Sequence, residues 1–263
     1  MANGPTNTSE GIRVTPTGAM RTAAWKIVPS ADTMVKGSTQ ELLLDADALD
    51  RYEEFTSEMH SILQKYDAAM REMVVRFEIL DRDLSLRRNR SPIHHIESRI
   101  KSPISIYEKL LRYGKEPTIS NLQEYLMDVA GVRVICSYVG DVKSLMGLLR
   151  HQDDLEIVRV KNYIENPKPN GYRSLHAIVR IPVYFMDSKE MVPVEVQIRT
   201  IAMDYWASLE HDLKYKAVAD TKDLAIGSEL LECANTLEQL ERRMQVLANA
   251  LDAASPTVKK LGR

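Results

Sequence analysis

The sequence predicts an α/β (α+β) protein in which a mixed β-sheet is flanked by helices, with long helices at the N- and C-terminal ends. The helices are predicted by apolar residues that recur every three or four positions. This spacing runs from Ser38 to Ser91, where Gly and Pro are absent, and again from Leu230 to Leu251. The sheet is predicted by the middle of the chain, where short segments alternate apolar and polar residues with the period of half-buried strands.

The first periodic stretch predicts one amphipathic helix, or two with a break near Asp67. A second, shorter helix carries its own boundary signals. Ser102 can cap its N-terminus and Pro103 occupies its first position, while Arg112 lies in its last turn and Gly114 follows its end.

Strands and further helices follow in alternation. Strand-like segments lie at residues 132–138, 155–162, 174–183 and 192–200, and a helix is predicted over residues 141–150. After residue 200 the spacing predicts two more helices. The second of these gains support from an i,i+4 pair of Glu238 and Arg242.

Composition indicates one globular domain, since 44% of the 263 residues are hydrophobic and 27% are charged. Residues 1–40 are rich in Thr, Ser, Gly and Pro and are predicted to form a disordered leader. The domain is then expected over residues 41–255, with a tail at 256–263. No apolar run approaches the roughly 20 residues of a membrane helix, and the N-terminus lacks a secretory apolar region. We therefore expect a cytoplasmic protein without membrane contact.

Two sequence-wide features exclude other classes. Cys136 and Cys233 are far apart and form no CxxC pair, so we expect buried free thiols rather than a disulfide framework or a zinc site. The formal net charge of −2 argues against a protein that coats nucleic acid by bulk electrostatics. Cationic residues are instead enriched in the middle of the chain, which predicts a local anion site there.

The predicted strand at residues 192–200 has one face that carries charged and polar side chains. Because side chains alternate across a strand, Glu195, Gln197 and Arg199 share one face. The apolar Val194, Val196 and Ile198 share the other, which faces the core. A solvent-exposed face could have this pattern too. The preceding loop adds cationic groups or donors and flat aromatic rings, a combination that suits a nucleotide: Lys161, Lys168, Arg173, His176, Tyr163 and Tyr172.

A second candidate site lies at the start of the capped helix. Lys101 enters just before the first turn, and Ser105 and Lys109 are one turn apart. Free backbone N–H groups and the helix dipole attract anions, so a phosphate chain fits there. A solvated basic face on a surface helix is an equally good interpretation.

Two carboxylates complete the candidates. Asp128 stands at the entrance of a buried strand, and if it neighbours Glu195 the pair makes a Mg²⁺ site of few protein oxygens. Otherwise Asp128 is a turn or cap residue.

Residues 170–176 carry three further features. Asn170-Gly171 predicts a tight turn. Tyr172 suits either base stacking or core packing, and His176 either reaches a phosphate or is structural. The chain has no P-loop and no dinucleotide fingerprint.

Six motifs occur in order within residues 45–250, and together they resemble the synthetase domain of the RelA/SpoT homologue family, most closely the stand-alone small alarmone synthetases. The motifs are Arg99-x-Lys101 with Ser105 and Lys109, Asp128-x-x-Gly-x-Arg133, Lys161-x-Tyr-Ile, Asn170-Gly-Tyr172-x-Ser-x-His176, Glu195-x-Gln197-Ile-Arg-Thr and Trp206-Ala-x-x-Glu210-His211. The resemblance implies transfer of a pyrophosphoryl group from ATP to the 3′-hydroxyl of GDP or GTP. The products would be ppGpp or pppGpp and AMP.

By this resemblance, Arg99 and Arg133 would sandwich the adenine of ATP. Its phosphates would be held by Lys101, Ser105 and Lys109.

The resemblance also implies that Asp128 and Glu195 hold Mg²⁺ and that Glu195 accepts the proton of the 3′-hydroxyl. The residues implied for the guanosine nucleotide are Tyr172, which would stack on guanine, with Lys161, Asn170, His176 and the supporting Gln197.

The resemblance also implies a homotetramer and an activating alarmone. Some relatives bind single-stranded RNA, which is therefore a further possible partner. Synthesis without hydrolysis is expected. Two other functions remain open at this point. One is a regulatory module that binds guanine nucleotides or single-stranded RNA without catalysis. The other is a general nucleotidyltransferase, which would release pyrophosphate instead of AMP.

Overall fold

A computed structural model describes residues 46–88, 90–217 and 224–254. Within these ranges the chain forms six helices and five strands, so the predicted combination of a sheet with flanking helices is confirmed. The predicted leader, residues 1–40, and the predicted tail, residues 256–263, lie outside the described residues. So do residues 38–45 of the first periodic stretch.

The elements alternate along the chain, with the longest helices at the two ends. In order they are α1 (Ala46–Arg88), β1 (Ile93–Ile100), α2 (Pro103–Arg112), α3 (Ile119–Tyr125), β2 (Ala130–Cys136), α4 (Val139–Arg150), β3 (Glu156–Asn162), β4 (Leu175–Tyr184), β5 (Lys189–Thr200), α5 (Ile201–Ala217) and α6 (Leu224–Ala254).

The five strands form one sheet in the order β1-β2-β5-β4-β3. Strands β2 and β5 run parallel, and the other three pairs are antiparallel, so the sheet is mixed as predicted. The parallel pair brings together two strands that are more than fifty residues apart in the chain. It therefore fixes the relative position of the two halves of the sequence.

One face of the sheet packs against α1 through a continuous apolar core. The helix contributes fully buried Met59, Met70, Met73 and Phe77, whose spacing of three, four, seven and eleven residues is that of one helical face. The expected alternative of a break near Asp67 is wrong, because Asp67 accepts from Arg71 one turn later inside an unbroken helix.

The boundaries of α2 follow the sequence signals. Ser102 accepts from the backbone N–H of Ser105, Pro103 is the first residue, and Gly114 beyond the end has a φ of +68°. Thr118 caps the short helix α3 by accepting from Asn121, and this helix was not predicted.

Strand β1 is the other element without a sequence prediction. It is an edge strand of the described sheet and pairs there with β2, and most of its residues are not buried. Its sequence, Ile-His-His-Ile-Glu-Ser-Arg-Ile, therefore shows no clear alternation.

The two cysteines differ in environment. Cys136 is buried and free, as expected, and burial raises the pKa of its thiol. Cys233 is also free but exposed, so its predicted burial is wrong. The reason is its place on the solvent side of α6, one residue before the buried Ala234. Among the described helices, none has an apolar stretch of the length needed to cross a membrane.

Candidate active site

The sheet face opposite α1 carries two rows of side chains that run across all five strands. Residues paired in register on neighbouring strands point to the same face, so each row follows from the pairing. One row consists of Arg99, Gly131, Glu195, Ile178 and Arg159. The other consists of Glu97, Arg133, Gln197, His176 and Lys161. Predicted residues from widely separated motifs thus lie side by side.

Asp128 lies two residues before β2 and joins the capped helix to the sheet. Lys101 and Lys109 both donate to its Oδ2 atom, at 2.5 and 2.6 Å. Its other oxygen, Oδ1, is buried and has no hydrogen-bond partner among the described residues. Burial alone would raise the pKa of Asp128, but the hydrogen bonds and charges of the two lysines outweigh burial and lower it.

The two lysines respond differently to this shared carboxylate. Burial lowers the pKa of Lys101 and is not fully offset by Asp128. For Lys109, burial acts in the same direction, but the bond to Asp128 outweighs it and the pKa is raised. Lys109 is therefore the more firmly charged of the two, and the cluster carries a net positive charge near the start of α2.

Glu195 lies on β5, directly beside the strand that Asp128 precedes, because Ala130 pairs with Val194 and Gly131 with Glu195. Strand β2, which Asp128 precedes, is therefore the neighbour of the strand that carries Glu195. Gln197 donates to Oε2 of Glu195 at 3.0 Å, and His176 Nδ1 lies 3.4 Å from Oε1. Burial would raise the pKa of Glu195, and the negative charge of Asp128 acts in the same direction, but His176 and Gln197 outweigh both and lower it. A metal site shared by the two carboxylates stays a prediction.

Arg133 is held by two carboxylates that sequence reasoning missed. It donates to Glu97 at 2.8 Å and lies 3.7 Å from Asp204 on α5. His95, Glu97 and Asp204 are close enough to share a metal ion. However, Arg133 and Arg199 already compensate these carboxylates, with Arg199 donating to Asp204 at 3.2 Å.

Tyr172 lies on the other side of Glu195, half-buried in a cluster of rings and cations. Its hydroxyl accepts from Arg199 at 2.7 Å and is 2.8 Å from His176 Nε2. Lys168 Nζ lies 4.7 Å from the centre of the Tyr172 ring and 5.0 Å from that of Tyr163. These aromatic and cationic groups line one end of the polar rows.

The loop that carries Tyr172 is tied to both C-terminal helices. Asn170 donates to Glu210 on α5 at 3.0 Å. The buried Arg173 donates to the Ala234 carbonyl of α6 at 3.2 Å and also contacts Asn235 and Glu238. The predicted turn is present, since Gly171 has a φ of +88° and its N–H donates to Lys168 O.

Three of the predicted residues lie at the margins of this arrangement. Arg99 and Lys161 are exposed, at opposite ends of the polar rows. Ser105 is half-buried in the first turn of α2, where its hydroxyl accepts from Ser102. Most of the other predicted residues form two groups. Lys101 and Lys109 surround Asp128, while Gln197 and His176 contact Glu195 and His176 contacts Tyr172. Glu97 could have been found from its alternation with Arg99, but Asp204 has no signal in the sequence.

Residues 98–220 match the family model described as a region found in RelA / SpoT proteins. The GTP pyrophosphokinase YwaC of Bacillus subtilis (strain 168) is 42% identical over 187 residues, which are 71% of this chain and 89% of that protein.

Solved structures agree with this match. Small alarmone synthetase 2 from Bacillus subtilis has 40% identity and a TM-score of 0.63, covering 70% of this chain and 96% of that one. Small alarmone synthetase 1 from the same organism, bound to its product pppGpp, has 28% identity and a TM-score of 0.65, covering 74% and 98%. The chain therefore belongs to the RelA/SpoT family of GTP pyrophosphokinases and, within it, to the small alarmone synthetases.

Proposed function

We propose that this protein transfers the β,γ-pyrophosphoryl group of ATP to the 3′-hydroxyl of GDP or GTP, making ppGpp or pppGpp and AMP. The 3′-oxygen bonds to the β-phosphorus of ATP as the bond between that phosphorus and the oxygen of the α-phosphate breaks. AMP leaves with that oxygen. The observation that supports the proposal is the pairing of the strand after Asp128 with the strand of Glu195, with the Lys101 and Lys109 pair bound to Asp128 and the Tyr172 loop near Glu195 through His176.

The ATP side is assigned to the start of α2 and the neighbouring strands. Lys101 and Lys109 would hold the phosphates together with Ser105, whose turn supplies backbone N–H groups. Arg99 and Arg133 lie on adjacent strands and on the same face, and their planar guanidinium groups suit stacking on adenine. Phosphoryl transfer depends mainly on such positioning and charge neutralisation.

The two carboxylates fit a Mg²⁺ ion. Oδ1 of Asp128 is buried and has no hydrogen-bond partner within the described part of the chain, and an ionised Glu195 has lone pairs beyond those used by His176 and Gln197. Asp128 and Glu195 would hold the ion, which would neutralise charge on the phosphate oxygens. Glu195 is also the group proposed to accept the proton of the 3′-hydroxyl. Its lowered pKa keeps it ionised, and hence able to accept, at neutral pH.

The guanosine side is assigned to the loop before β4. Tyr172 would stack on guanine, and Lys161, Asn170 and His176 would contact the nucleotide while Gln197 orients Glu195. The supporting observation is a pair of hydrogen bonds that hold this loop near Glu195. Asn170 donates to Glu210 on α5, and Arg173 donates to the Ala234 carbonyl on α6. The pppGpp bound by a relative supports a guanosine nucleotide as a ligand of this protein.

The alternative of a binding module without catalysis has no observation in its favour. A binder of polyanions gains nothing from two carboxylates at the point where the phosphates meet. A cytoplasmic location, a homotetramer, an activating alarmone and single-stranded RNA as a partner stay predictions.

The test is an assay of the purified protein with Mg²⁺, ATP and either GDP or GTP, with the nucleotides resolved by chromatography. We expect AMP and the alarmone in equal amounts. Glu195→Gln should abolish both, whereas Glu190→Gln, which removes a carboxylate of the same strand that pairs with Lys65, should not. Pyrophosphate in place of AMP would indicate a nucleotidyltransferase and overturn the proposal. Nucleotide binding without any product, with and without added alarmone, would indicate the binding module.

A further inference from the structure

Five side chains form a ring at the centre of the site, joined by four hydrogen bonds and closed by the approach of His176 to Glu195. Arg199 Nη2 donates to the Tyr172 hydroxyl at 2.7 Å and to Gln197 Oε1 at 3.0 Å. The Tyr172 hydroxyl lies 2.8 Å from His176 Nε2. The two arms then meet at the carboxylate of Glu195, where His176 approaches one oxygen at 3.4 Å and Gln197 donates to the other at 3.0 Å.

Two of the five groups, Arg199 and Glu195, fix the direction of every hydrogen bond in this ring. Arg199 can only donate, and an ionised Glu195 can only accept. With a neutral imidazole, His176 therefore presents Nδ1–H to Glu195 and accepts at Nε2 from the Tyr172 hydroxyl. The same reasoning orients the Gln197 amide, with its oxygen towards Arg199 and its nitrogen towards Glu195.

Arg199 is well placed to act through its neighbours and poorly placed to touch a substrate. It is only 5% exposed, and its guanidinium is anchored by Asp204 at 3.2 Å. It also lies 5.3 Å from the centre of the Tyr172 ring. Both hydrogens on its Nη2 atom are used within the ring, one for each arm.

We propose that Arg199 is a positioning residue, which sets the direction of the hydrogen bonds around the ring and thereby holds Glu195 and the Tyr172 ring in place. Its consequence for turnover rests on the proposed function, since Glu195 is the group assigned to the 3′-hydroxyl proton. The ring itself does not depend on that assignment. A fixed carboxylate and a fixed ring leave less to be ordered when both substrates are bound.

The first test is the tautomer of His176 in the full-length protein without nucleotide. Two-bond ¹H–¹⁵N correlation spectra of histidine-labelled protein, recorded where the imidazole is neutral, identify the protonated nitrogen, and a His176→Gln sample assigns the signals. We expect a proton on Nδ1 and none on Nε2. A proton on Nε2 would overturn the proposed ring. This measurement needs no turnover, so it separates failure of the ring from failure of the proposed function.

The second test is a double-mutant cycle on kcat with Arg199→Lys and Tyr172→Phe, the latter keeping the aromatic ring but removing the hydroxyl. Each variant should lower kcat about tenfold, with the KM for ATP changed by less than about twofold. Because one of the two arms from Arg199 runs through the Tyr172 hydroxyl, the two losses should overlap, and the double variant should lose clearly less than about a hundredfold. Additive losses, or an unchanged kcat in Arg199→Lys, would refute the proposal.

Controls separate positioning from folding. Arg180→Lys removes a guanidinium from the same sheet, where Arg180 forms an ion pair with Glu156, and it should leave kcat unchanged. Thermal unfolding of every variant shows whether the fold is kept. Should Arg199→Lys fail to fold, Asp204→Asn takes its place in the cycle, since it leaves the guanidinium present but removes its charged anchor. Additive losses in that cycle would equally refute the proposal.

Discussion

A Cβ atom placed on Gly171 would lie 2.6 Å from the Cβ atom of Ala234, so the loop before β4 and helix α6 meet without room for another carbon atom. Gly171 also has a φ of +88°, a backbone conformation that residues with a side chain rarely adopt. The close approach lets the neighbouring Arg173 reach the Ala234 carbonyl. The position of α6 and that of the Tyr172 loop are therefore mechanically linked.

Gly171→Ala should destabilise the protein by about 2 kcal/mol, because the new methyl group is strained in its backbone and forces the loop away from α6. Since Tyr172 is the next residue, the KM for GDP or GTP should rise while the KM for ATP stays unchanged. Denaturant unfolding and steady-state kinetics measure the two effects. Gly147→Ala is the matched control, because its Cβ meets nothing within 4 Å and alanine favours a helix. Similar behaviour of the two variants would contradict the proposed link.

How much of the fold could be predicted depended on whether an element buries one face. Strands β2 and β5 alternate buried valines with polar residues, and both were predicted within a few residues of their ends. Strand β1 was missed because it lies at the sheet edge and carries His94, His95 and Glu97 where apolar residues would have signalled a strand. Helix α3 is too short, at seven residues, to show a helical period.

The candidate residues could be named from the sequence, but their arrangement could not. Alternation alone placed Glu195 and Gln197 on one face of a strand. The pairing of β2 with β5, which brings Asp128 beside them, depends on the strand order and could only be stated as a condition. The anchoring of Arg199 by Asp204 depends on where α5 turns back over the sheet, and no local pattern records it.

Gly131→Val should weaken the binding of ATP without lowering the stability of the fold. Gly131 lies between Arg99 and Glu195 in the row across the sheet, and a Cβ there would have only ordinary contacts, at 3.8 Å or more, with Arg99. Valine favours a strand, so thermal stability should be equal or higher. The larger side chain would project into the space assigned to ATP, and the KM for ATP should rise at least about tenfold, a loss of about 1.4 kcal/mol in binding. An unchanged KM for ATP would move that substrate away from this part of the sheet.

Tyr172→Ala should mainly weaken binding of the guanosine nucleotide. Stacking of a base on an aromatic side chain contributes about 1–3 kcal/mol, so the Kd for GDP or GTP should rise at least about fivefold. Isothermal titration of each nucleotide measures this, with ATP as the internal comparison. Tyr172 also packs beside Trp206, with ring centres 6.4 Å apart. If the variant unfolds instead, Tyr172 is a core residue and its stacking role is refuted.

Asp128→Asn should make stability less dependent on acid pH. The hydrogen bonds from Lys101 and Lys109 lower the pKa of Asp128 although burial opposes them, so the ionised form stabilises the fold. A carboxyl whose pKa is lower in the folded than in the unfolded chain contributes its full stability above the unfolded value, about 3.9. That contribution is lost as the pH falls through the folded-state pKa.

The free energy of unfolding of the wild type should therefore exceed that of Asp128→Asn by a constant amount above about pH 5. The gap should close as the pH falls below about 3.9. Urea unfolding at a series of pH values from 7 to 2.5, interpreted with the linear extrapolation, measures the gap. Asp83→Asn is the control, because it removes only an exposed ion pair with Arg87 and should change stability by about 0.5 kcal/mol or less. A gap that persists or widens in acid would mean that the lysines do not stabilise the ionised carboxylate, and the charge assignment at the start of α2 would be wrong.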